Sequence, residues 1–382
     1  MKNFYPKQYK NDSKLNINHN YLNKQFSDYN KIFNEIKKIV INTDYTLGKN
    51  VDIFEEKFAK LIGTKFAIGV GSGTDALFLS LKALNVKPED EIITTAFTFY
   101  ATVGAIVTAG CKPVLVDIKE DLNIDEDLIV KKINKKTKAI IPVHWSGKPC
   151  DMEKLNFISK KYKIPIIEDS CHAICAKFNN KNAGSFGLMG CFSFHPLKNL
   201  NVWGDGGMIC TNSKKYAIKL RLLRNHGLIN RNRISIYGYN SRLDTLQATV
   251  GLYLLKKIKK ITDARIKNSL IYDKKLKKIK NVVIPDRDKK NIKQVYHIYT
   301  ILVQNRDQLC CFLNKKGIDA KIHYPIPMHL QKPSKEFGYK KGDFKKAELM
   351  AKKVLSLPVH EFVTIKEINY VCYLIEEFYN KG

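Results

Sequence analysis

The sequence predicts an α/β protein in which a mostly parallel central sheet lies between layers of helices and a smaller α+β domain follows. Three observations support this. Short apolar runs typical of buried strands alternate with stretches of helical apolar spacing through the first 250 residues, as in parallel sheets covered on both faces. After that point the regular alternation ends. A chain of 382 residues with 44% hydrophobic content is long and apolar enough for one large and one smaller domain.

Apolar spacing predicts the elements in chain order. Helices are expected at residues 29–41, 51–61, 76–84, 151–161 and 216–224, with another ending at Ala109, and strands at 65–70, 91–95, 113–117, 139–144, 164–167, 191–194 and 208–211. The segment from Tyr237 is expected to start a long helix that runs to about Tyr272 and joins the domains. Further strands are expected at 295–303 and 320–323, and helices at 346–355 and 365–378. This predicts a polar N-terminal arm (1–25), a large α/β domain (26–250) and a small α+β domain (251–382).

Composition and charge argue against several classes of protein. Only eight of the 66 lysines and arginines are arginines, and the lysines behind the formal charge of +30 are spread along the chain. Because no recognised nucleic-acid motif accompanies them, we expect no nucleic-acid partner. No apolar run approaches transmembrane length and the N-terminus lacks a signal-peptide core, so we expect no membrane association. Nine scattered cysteines without CxxC spacing suit a reducing cytoplasm and predict no metal site.

Candidate chemistry is concentrated in residues 164–207. A short apolar run there, Ile164 to Ile167, is typical of a buried strand. The strand ends in two carboxylates, Glu168 and Asp169, and His172 follows. A second apolar run over 191–194 lies shortly before Lys198. Open α/β sheets bind ligands at the ends of their strands. An acid after one strand and a lysine after another therefore predict a single cleft.

A glycine-rich turn at residues 71–75 separates a predicted strand from a predicted helix. The free N–H groups and the positive dipole end at such a turn form an anion site, commonly for phosphate. The turn lacks the GK[ST] of a P-loop, which disfavours a nucleoside triphosphatase. Many strand–helix turns are glycine-rich for steric reasons alone, so this signal gains weight only beside others.

Pyridoxal 5'-phosphate needs the set of groups that these segments supply. Its phosphate binds at a helix N-terminus, its ring stacks on an aromatic or apolar face, its ring nitrogen needs a carboxylate, and its aldehyde needs a lysine. The turn, the aromatic pair Phe99 and Tyr100, Asp169, Ser193 and Lys198 match these needs. Singly, each has an ordinary structural explanation, as a surface lysine, a helix cap or a core aromatic. Their order and spacing favour the joint interpretation.

Several segments form a set that is specific as a whole. They are GSGTDAL (71–77), TFYAT (98–102), PVHWSGKPCDM (142–152), IIEDSCHA (166–173), FSFHPLKNLNVWGDGG (192–207), GYNSRLDTLQA (238–248), IHYPIPMHLQ (322–331) and LSLPVH (355–360). In them the sequence resembles the sugar aminotransferases of the DegT/DnrJ/EryC1/StrS family, whose members have fold type I of the pyridoxal phosphate enzymes. The resemblance covers nearly everything after about residue 20.

The resemblance implies roles for individual residues. Lys198 would form a Schiff base with the cofactor and shuttle the proton between the substrate carbon and the cofactor carbon. Asp169 would pair with the pyridinium nitrogen, His172 would lie near the ring hydroxyl, and Phe99 would stack on the ring. Asn240 would reach the phosphate of the partner subunit, so the active site would require a homodimer. The phosphate would be held by Gly73, Thr74 and Ser193, and the residues toward the sugar would be His323, Tyr324 and His329.

The implied reaction is transfer of an amino group from L-glutamate to a keto-sugar for amino-sugar and surface polysaccharide biosynthesis. The KNL…GDGG and NSRLDTLQ segments favour a nucleotide-linked 3-keto sugar over a 4-keto sugar. A keto-octulosonate, an acidic sugar of lipopolysaccharide, is an alternative acceptor. A sugar dehydratase would carry histidine in place of the Schiff-base lysine, and Lys198 disfavours it. A non-catalytic regulator of the same fold is disfavoured by the intact set of site residues.

Overall fold

The structure is a computed structural model that describes residues 15–287 and 291–380. Its helices are α1 (Leu22–Gln25), α2 (Tyr29–Asn42), α3 (Lys49–Ile62), α4 (Gly73–Ala83), α5 (Tyr100–Thr108), α6 (Glu126–Val130), α7 (Met152–Tyr162), α8 (Lys214–Leu223), α9 (Thr245–Leu255), α10 (Ile258–Leu276), α11 (Arg306–Lys315), α12 (Lys345–Lys353) and α13 (Ile365–Asn380). Within the described ranges, no helix is both long and apolar enough to cross a membrane.

The strands are short, as the apolar runs predict. They are β1 (Phe66–Val70), β2 (Glu91–Thr95), β3 (Lys112–Val116), β4 (Thr137–Ile141), β5 (Ile167–Asp169), β6 (Lys177–Phe178), β7 (Lys181–Asn182), β8 (Met189–Ser193), β9 (Gly207–Thr211), β10 (Leu228–Asn230), β11 (Arg233–Ile234), β12 (Val282–Val283), β13 (Ile292–Lys293), β14 (Tyr299–Val303) and β15 (Val354–Leu357).

The central sheet has the strand order β3-β2-β4-β5-β8-β9-β1. Parallel bridges from Ile140 to Ile166 and from Val143 to Asp169 join the β4 and β5 sides. Neighbouring strands are parallel except at β9, which runs antiparallel to both β8 and β1. The prediction of a mostly parallel sheet is therefore confirmed.

Helices cover both faces of this sheet, as the alternation of side chains along β4 illustrates. Ile140 belongs to a core cluster with Ile129 of α6 and Leu155 of α7. Its neighbours Ala139 and Ile141 belong to a different cluster, which includes side chains of α4, α5 and α8. Successive residues of a strand point to opposite faces, so a continuous apolar run is what a sheet buried on both sides requires.

The long helix expected from Tyr237 is wrong in its start and in its continuity. Helix α9 begins only at Thr245, because the side chain of Asp244 caps it by accepting a hydrogen bond from Gln247 N at 2.7 Å. A two-residue turn then separates α9 from α10. The segment before the cap is not helical and contacts the end of α8, where Ser241 N donates a hydrogen bond to Arg224 O at 3.0 Å.

The small domain is built on the antiparallel sheet β12-β14-β15. Its core joins side chains of α10, α11 and α13 to this sheet, and the stacked rings of Tyr272 and Tyr299 lie 4.7 Å apart within it. Ile17 packs in the same core. Residues 1–14 of the expected arm lie outside the described residues. The expected limit at residue 250 falls inside α9, whose Val250 and Leu254 pack in one cluster with Phe54 of α3. We therefore propose that the small domain begins within α10, and that the N-terminal limit lies near residue 25.

Glu168 is a buried carboxylate that fixes the end of β5. One oxygen accepts hydrogen bonds from Phe186 N and Gly187 N at 2.7 and 2.6 Å. The other accepts from Gly184 N at 2.8 Å and lies 2.9 Å from His144 Nε2. Because buried polar groups are costly when unpaired, this carboxylate holds the loop before β8 against the strand.

We predict that Glu168→Ala lowers the free energy of unfolding by about 3 kcal/mol or more, since it leaves several buried N–H groups without an acceptor. Urea unfolding followed by circular dichroism measures this. Glu153→Ala, at an exposed position of α7, is the matched control and should change the value by less than about 0.5 kcal/mol. Equal midpoints for the two variants would show that the Glu168 carboxylate is not a structural anchor.

Candidate active site

A cavity of about 740 Å³ lies where β5 and β8 end. Its walls also include the segment between β8 and β9, part of the small domain, and N-terminal residues between 19 and 25. This volume is typical of sites for small molecules and cofactors. The structure brings most of the predicted site residues together here, namely Gly73, Thr74, Phe99, Asp169, His172, Ser193, Lys198, His323 and Tyr324.

Asp169 reaches the cavity because it alternates with Glu168 along β5. The residue is 5% exposed, and both oxygens of its carboxylate accept hydrogen bonds. Thr102 Oγ1 donates to Oδ2 at 2.8 Å, and Cys171 N donates to Oδ1 at 3.2 Å. Thr98 lies 2.9 Å from the Thr102 hydroxyl and extends the chain of hydroxyls. A carboxylate held in this way is a fixed anion for a cationic group of a ligand.

The N-terminus of α4 forms the expected anion site. Ser72 is the N-cap, and its hydroxyl accepts from Asp75 N at 3.0 Å. A Cβ atom on Gly73 would lie 2.5 Å from Ser193 Cβ and 3.1 Å from Cys171 Sγ, so the helix can approach the end of β8 only with glycine at that position. The first N–H groups of α4 and the Ser193 hydroxyl therefore face one small space, as a phosphate requires.

Lys198 lies on an irregular segment between β8 and β9. Its N–H donates to His195 O at 2.8 Å, and Asn201 Nδ2 donates to its carbonyl at 2.9 Å. Burial lowers the pKa of its ammonium group, and the charge of Asp169 opposes that shift. The neutral amine, which can act as nucleophile or base, is therefore more accessible here than in water.

His172 and His297 lie side by side on the cavity wall, with ring centroids 4.4 Å apart. Burial and then the nearby Lys198 hold the pKa of each imidazole well below its usual range. Among the described residues, the buried Nδ1 atom of His172 has no hydrogen-bond partner. A neutral ring with a free nitrogen in the cavity is available to a polar atom of a ligand.

The cavity wall also carries His323, Tyr324 and Phe99. Burial lowers the pKa of His323 to about 4, and its Nδ1 lies 3.0 Å from Ser356 Oγ. The ring of Tyr324 lies 5.8 Å from that of Phe99 and burial raises the pKa of its hydroxyl. These groups are uncharged near neutral pH, which suits hydrogen bonds to hydroxyl groups of a sugar.

Two predicted residues lie elsewhere. His329 is outside the cavity, contrary to the expectation that it lies toward the substrate. Its Nε2 lies 3.0 Å from Glu348 Oε1 and its ring packs against Phe344, so it has a structural environment in the small domain. Asn240 is exposed and does not line the cavity of its own chain. Its proposed role belongs to the neighbouring subunit.

Several cavity residues were missed by the sequence argument. They are His19, Tyr21 and Gln25 near the N-terminus, Arg265 on α10, His297 before β14, and His360 and Glu361 after β15. His360 ends the segment LSLPVH, so that motif was an available signal. The others carry no local pattern, because distant parts of the chain bring them to the cavity.

The residues present fit pyridoxal 5'-phosphate. The start of α4 and the hydroxyls of Thr74 and Ser193 suit its phosphate, and Asp169 suits its ring nitrogen. The buried, lysine-bearing side of the cavity suits its aldehyde. The unpartnered His172 nitrogen is the kind of orphaned polar atom that a bound ligand would satisfy.

Comparison with known proteins identifies the family. The model of the DegT/DnrJ/EryC1/StrS aminotransferase family matches residues 27–376. The chain is 39% identical to a "Pleiotropic regulatory protein" of Geobacillus stearothermophilus, over 91% of this chain and 94% of that protein. It is 35% identical to the UDP-2-acetamido-2-deoxy-3-oxo-D-glucuronate aminotransferase of Pseudomonas aeruginosa, over 92% of this chain and 96% of that enzyme.

A solved structure shows the same architecture. The crystal structure of DesV from S. venezuelae, in complex with a ketimine intermediate, superposes with a TM-score of 0.91 at 32% sequence identity. The match covers 94% of this chain and 97% of that chain.

We predict that Gly73→Ala weakens binding of pyridoxal phosphate by about tenfold or more, because the added methyl group would push β8 away from the start of α4. Absorbance titration of cofactor-stripped protein measures the dissociation constant. Gly104→Ala is the matched control, since a Cβ there has open space within 4 Å, and it should bind like the wild type. Unchanged binding by Gly73→Ala would place the phosphate elsewhere.

Proposed function

The chain is a member of the DegT/DnrJ/EryC1/StrS aminotransferase family, and we propose that it transfers the amino group of L-glutamate to a nucleotide-linked 3-keto sugar. The family depends on pyridoxal phosphate, so the protein is a pyridoxal phosphate-dependent aminotransferase. The observation that carries the proposal is the single cavity lined by Asp169, Lys198 and the N-terminus of α4. The name of the Pseudomonas relative, which specifies a 3-oxo sugar linked to UDP, supports the choice of acceptor.

Lys198 performs the proton transfers in this proposal. When bound, pyridoxal phosphate supplies a carbon that carries the amino group between substrates and a ring that accepts electron density. The Lys198 amine, whose pKa burial lowers, takes the proton from the α-carbon of the donor at Nζ. The same nitrogen would then deliver that proton to the carbon of the cofactor that carries the amino group. In the second half of the reaction the same nitrogen moves a proton in the reverse direction.

Asp169 and Thr102 hold the electron-accepting end of the site. The carboxylate keeps a proton on the ring nitrogen of the bound group, and the Thr102 hydroxyl fixes the carboxylate through Oδ2. The Cys171 N–H fixes the other oxygen. Because both oxygens are anchored, the position of the anion does not depend on the ligand.

The acceptor sugar is proposed to lie against His323 and Tyr324. Both side chains are half-buried, uncharged near neutral pH and on the cavity wall. Neutral imidazole and phenol groups both donate and accept hydrogen bonds, and therefore suit the hydroxyl groups of a sugar.

We also propose a homodimer with Asn240 serving the partner's site. Large apolar side chains are unusually exposed near this residue and the cavity, with Tyr237 91% and Tyr100 66% exposed. Phe33 of α2 is a further example at 52%. Exposed apolar groups of this size favour contact with a second protein surface.

The alternatives are less favoured. Lys198 lines the cavity, whereas the dehydratase alternative calls for histidine in its place. A regulator without catalysis has no need of the joint arrangement of Asp169, Lys198 and the α4 N-terminus. A keto-octulosonate remains as a competing acceptor for direct comparison.

We predict that L-glutamate bleaches the visible absorbance band of the bound cofactor and that a UDP-linked 3-keto sugar restores it. Lys198→Ala should slow bleaching by about a thousandfold or more, because the general base is lost. Lys160→Ala, at an exposed position of α7, is the control and should react normally. Bleaching by another amino acid but not by glutamate would refute the donor, and restoration only by a keto-octulosonate would refute the acceptor.

We predict that mixing two inactive variants, Lys198→Ala and Asn240→Ala, restores activity after subunit exchange. A mixed dimer contains one site with both residues intact if Asn240 acts across the interface, so it should recover up to about half of wild-type activity per dimer. Steady-state activity before and after exchange measures this. Failure to recover, with mixed dimers confirmed by mass spectrometry, would place Asn240 in the site of its own chain or outside the site.

A further inference from the structure

The N-terminal segment is attached to the small domain at one end. Asn16 N donates to Gly317 O at 2.8 Å, and Asp319 N donates to Ile17 O at 2.9 Å. His19 N donates to the Asp319 carboxylate at 2.9 Å. These bonds join the chain start to the turn after α11.

The same segment is attached to the large domain at its other end. The ring of Phe26 lies 5.5 Å from that of Trp203 and 6.4 Å from that of Tyr253, in the core cluster beneath α2 and α3. Between these attachments, His19 and Tyr21 line the cavity. Residues 16–26 therefore cross the cavity wall and link the two domains.

Gln25 is the buried polar residue at the centre of this link, with 8% exposure. Its amide nitrogen donates to Glu361 Oε1 at 2.9 Å, on the small-domain side. Its amide oxygen accepts from Asn201 Nδ2 at 2.8 Å, on the large-domain side. Both ends of the amide are thus used, and each end bonds a different domain.

Asn201 links Gln25 to the backbone of the catalytic lysine. The same amide nitrogen that donates to Gln25 also donates to Lys198 O at 2.9 Å. Lys198 lies outside the regular strands, so side-chain hydrogen bonds of this kind replace a sheet ladder in fixing its backbone. On the other side, Glu361 lies 4.0 Å from the Arg265 guanidinium. A continuous polar chain therefore runs from Lys198 through Gln25 to the small domain.

We propose that Gln25 is a positioning residue that holds the Lys198 backbone in place against the small domain. The inference rests on the proposed role of Lys198 in the aminotransferase reaction. Glutamine suits the position because it donates at one end and accepts at the other, which neither glutamate nor an aliphatic residue does. A misplaced amine slows proton transfer even when the cofactor is still bound.

The test exchanges the neutral and the charged side chain between positions 25 and 361, which are Gln25 and Glu361 in the wild type. Gln25→Glu sets a new buried carboxylate against the half-buried carboxylate of Glu361. We expect the amino-donor half-reaction to slow by about tenfold or more, with the pH midpoint of the visible cofactor band shifted upward. In the double variant Gln25→Glu with Glu361→Gln, the new carboxylate accepts hydrogen bonds from both Asn201 and the new amide. We expect the rate and the midpoint to return to within about threefold and a few tenths of a pH unit of wild type.

Gln308→Glu, the same chemical change at an exposed position of α11, is the matched control and should leave both readouts unchanged. Thermal unfolding of each loaded variant separates positioning from stability. The proposal is overturned if Gln25→Glu lowers only the melting temperature, or if the double variant melts like the wild type without recovering the rate and midpoint. The titration of the band needs no amino donor, so failure of wild type to react with L-glutamate would refute the donor and leave this test intact.

Discussion

The parallel pairing of β5 with β8 is the constraint on which the active site depends. Its register sets Asp169 opposite Cys191, so the residues that follow each strand emerge at the same edge of the sheet. Ser193 ends β8 and faces the start of α4, and Lys198 follows five residues later. Glu168, one residue before Asp169, points to the other face of the sheet, where its carboxylate accepts hydrogen bonds from the loop before β8. Alternation along one strand thus separates a structural carboxylate from a functional one.

The cavity is electrically unlike the rest of the chain. The protein carries a formal charge of +30, yet burial disfavours the charged forms of Lys198, His172 and His297. Removal of water penalises a cation whatever the net charge of the surface. The chemistry of the site therefore follows from its depth, and the many exposed lysines act at most on the approach of an anionic substrate.

The two domains also contact each other away from the cavity, through hydrogen bonds that are individually modest. Tyr339 of the small domain accepts from Leu115 N at 2.8 Å and donates to Pro113 O at 3.0 Å at the edge of the central sheet. Asp117 accepts from Ala347 N at 2.8 Å at the start of α12. These contacts outside the cavity and the N-terminal crossing beside it together fix the small domain against the large one.

The sequence by itself determined the sheet, the glycine-rich turn and the positions of Asp169 and Lys198 after two strands. Each of these features depends on a short local pattern of apolar runs, strand ends or turn residues. The tertiary structure alone decided which distant side chains complete the cavity. Gln25 and Glu361 are 336 residues apart along the chain, and no local periodicity predicts such a contact. It also decided that His329 pairs with Glu348. The physical reason is that packing and hydrogen bonding between remote segments, rather than local propensity, fix side chains at a domain junction.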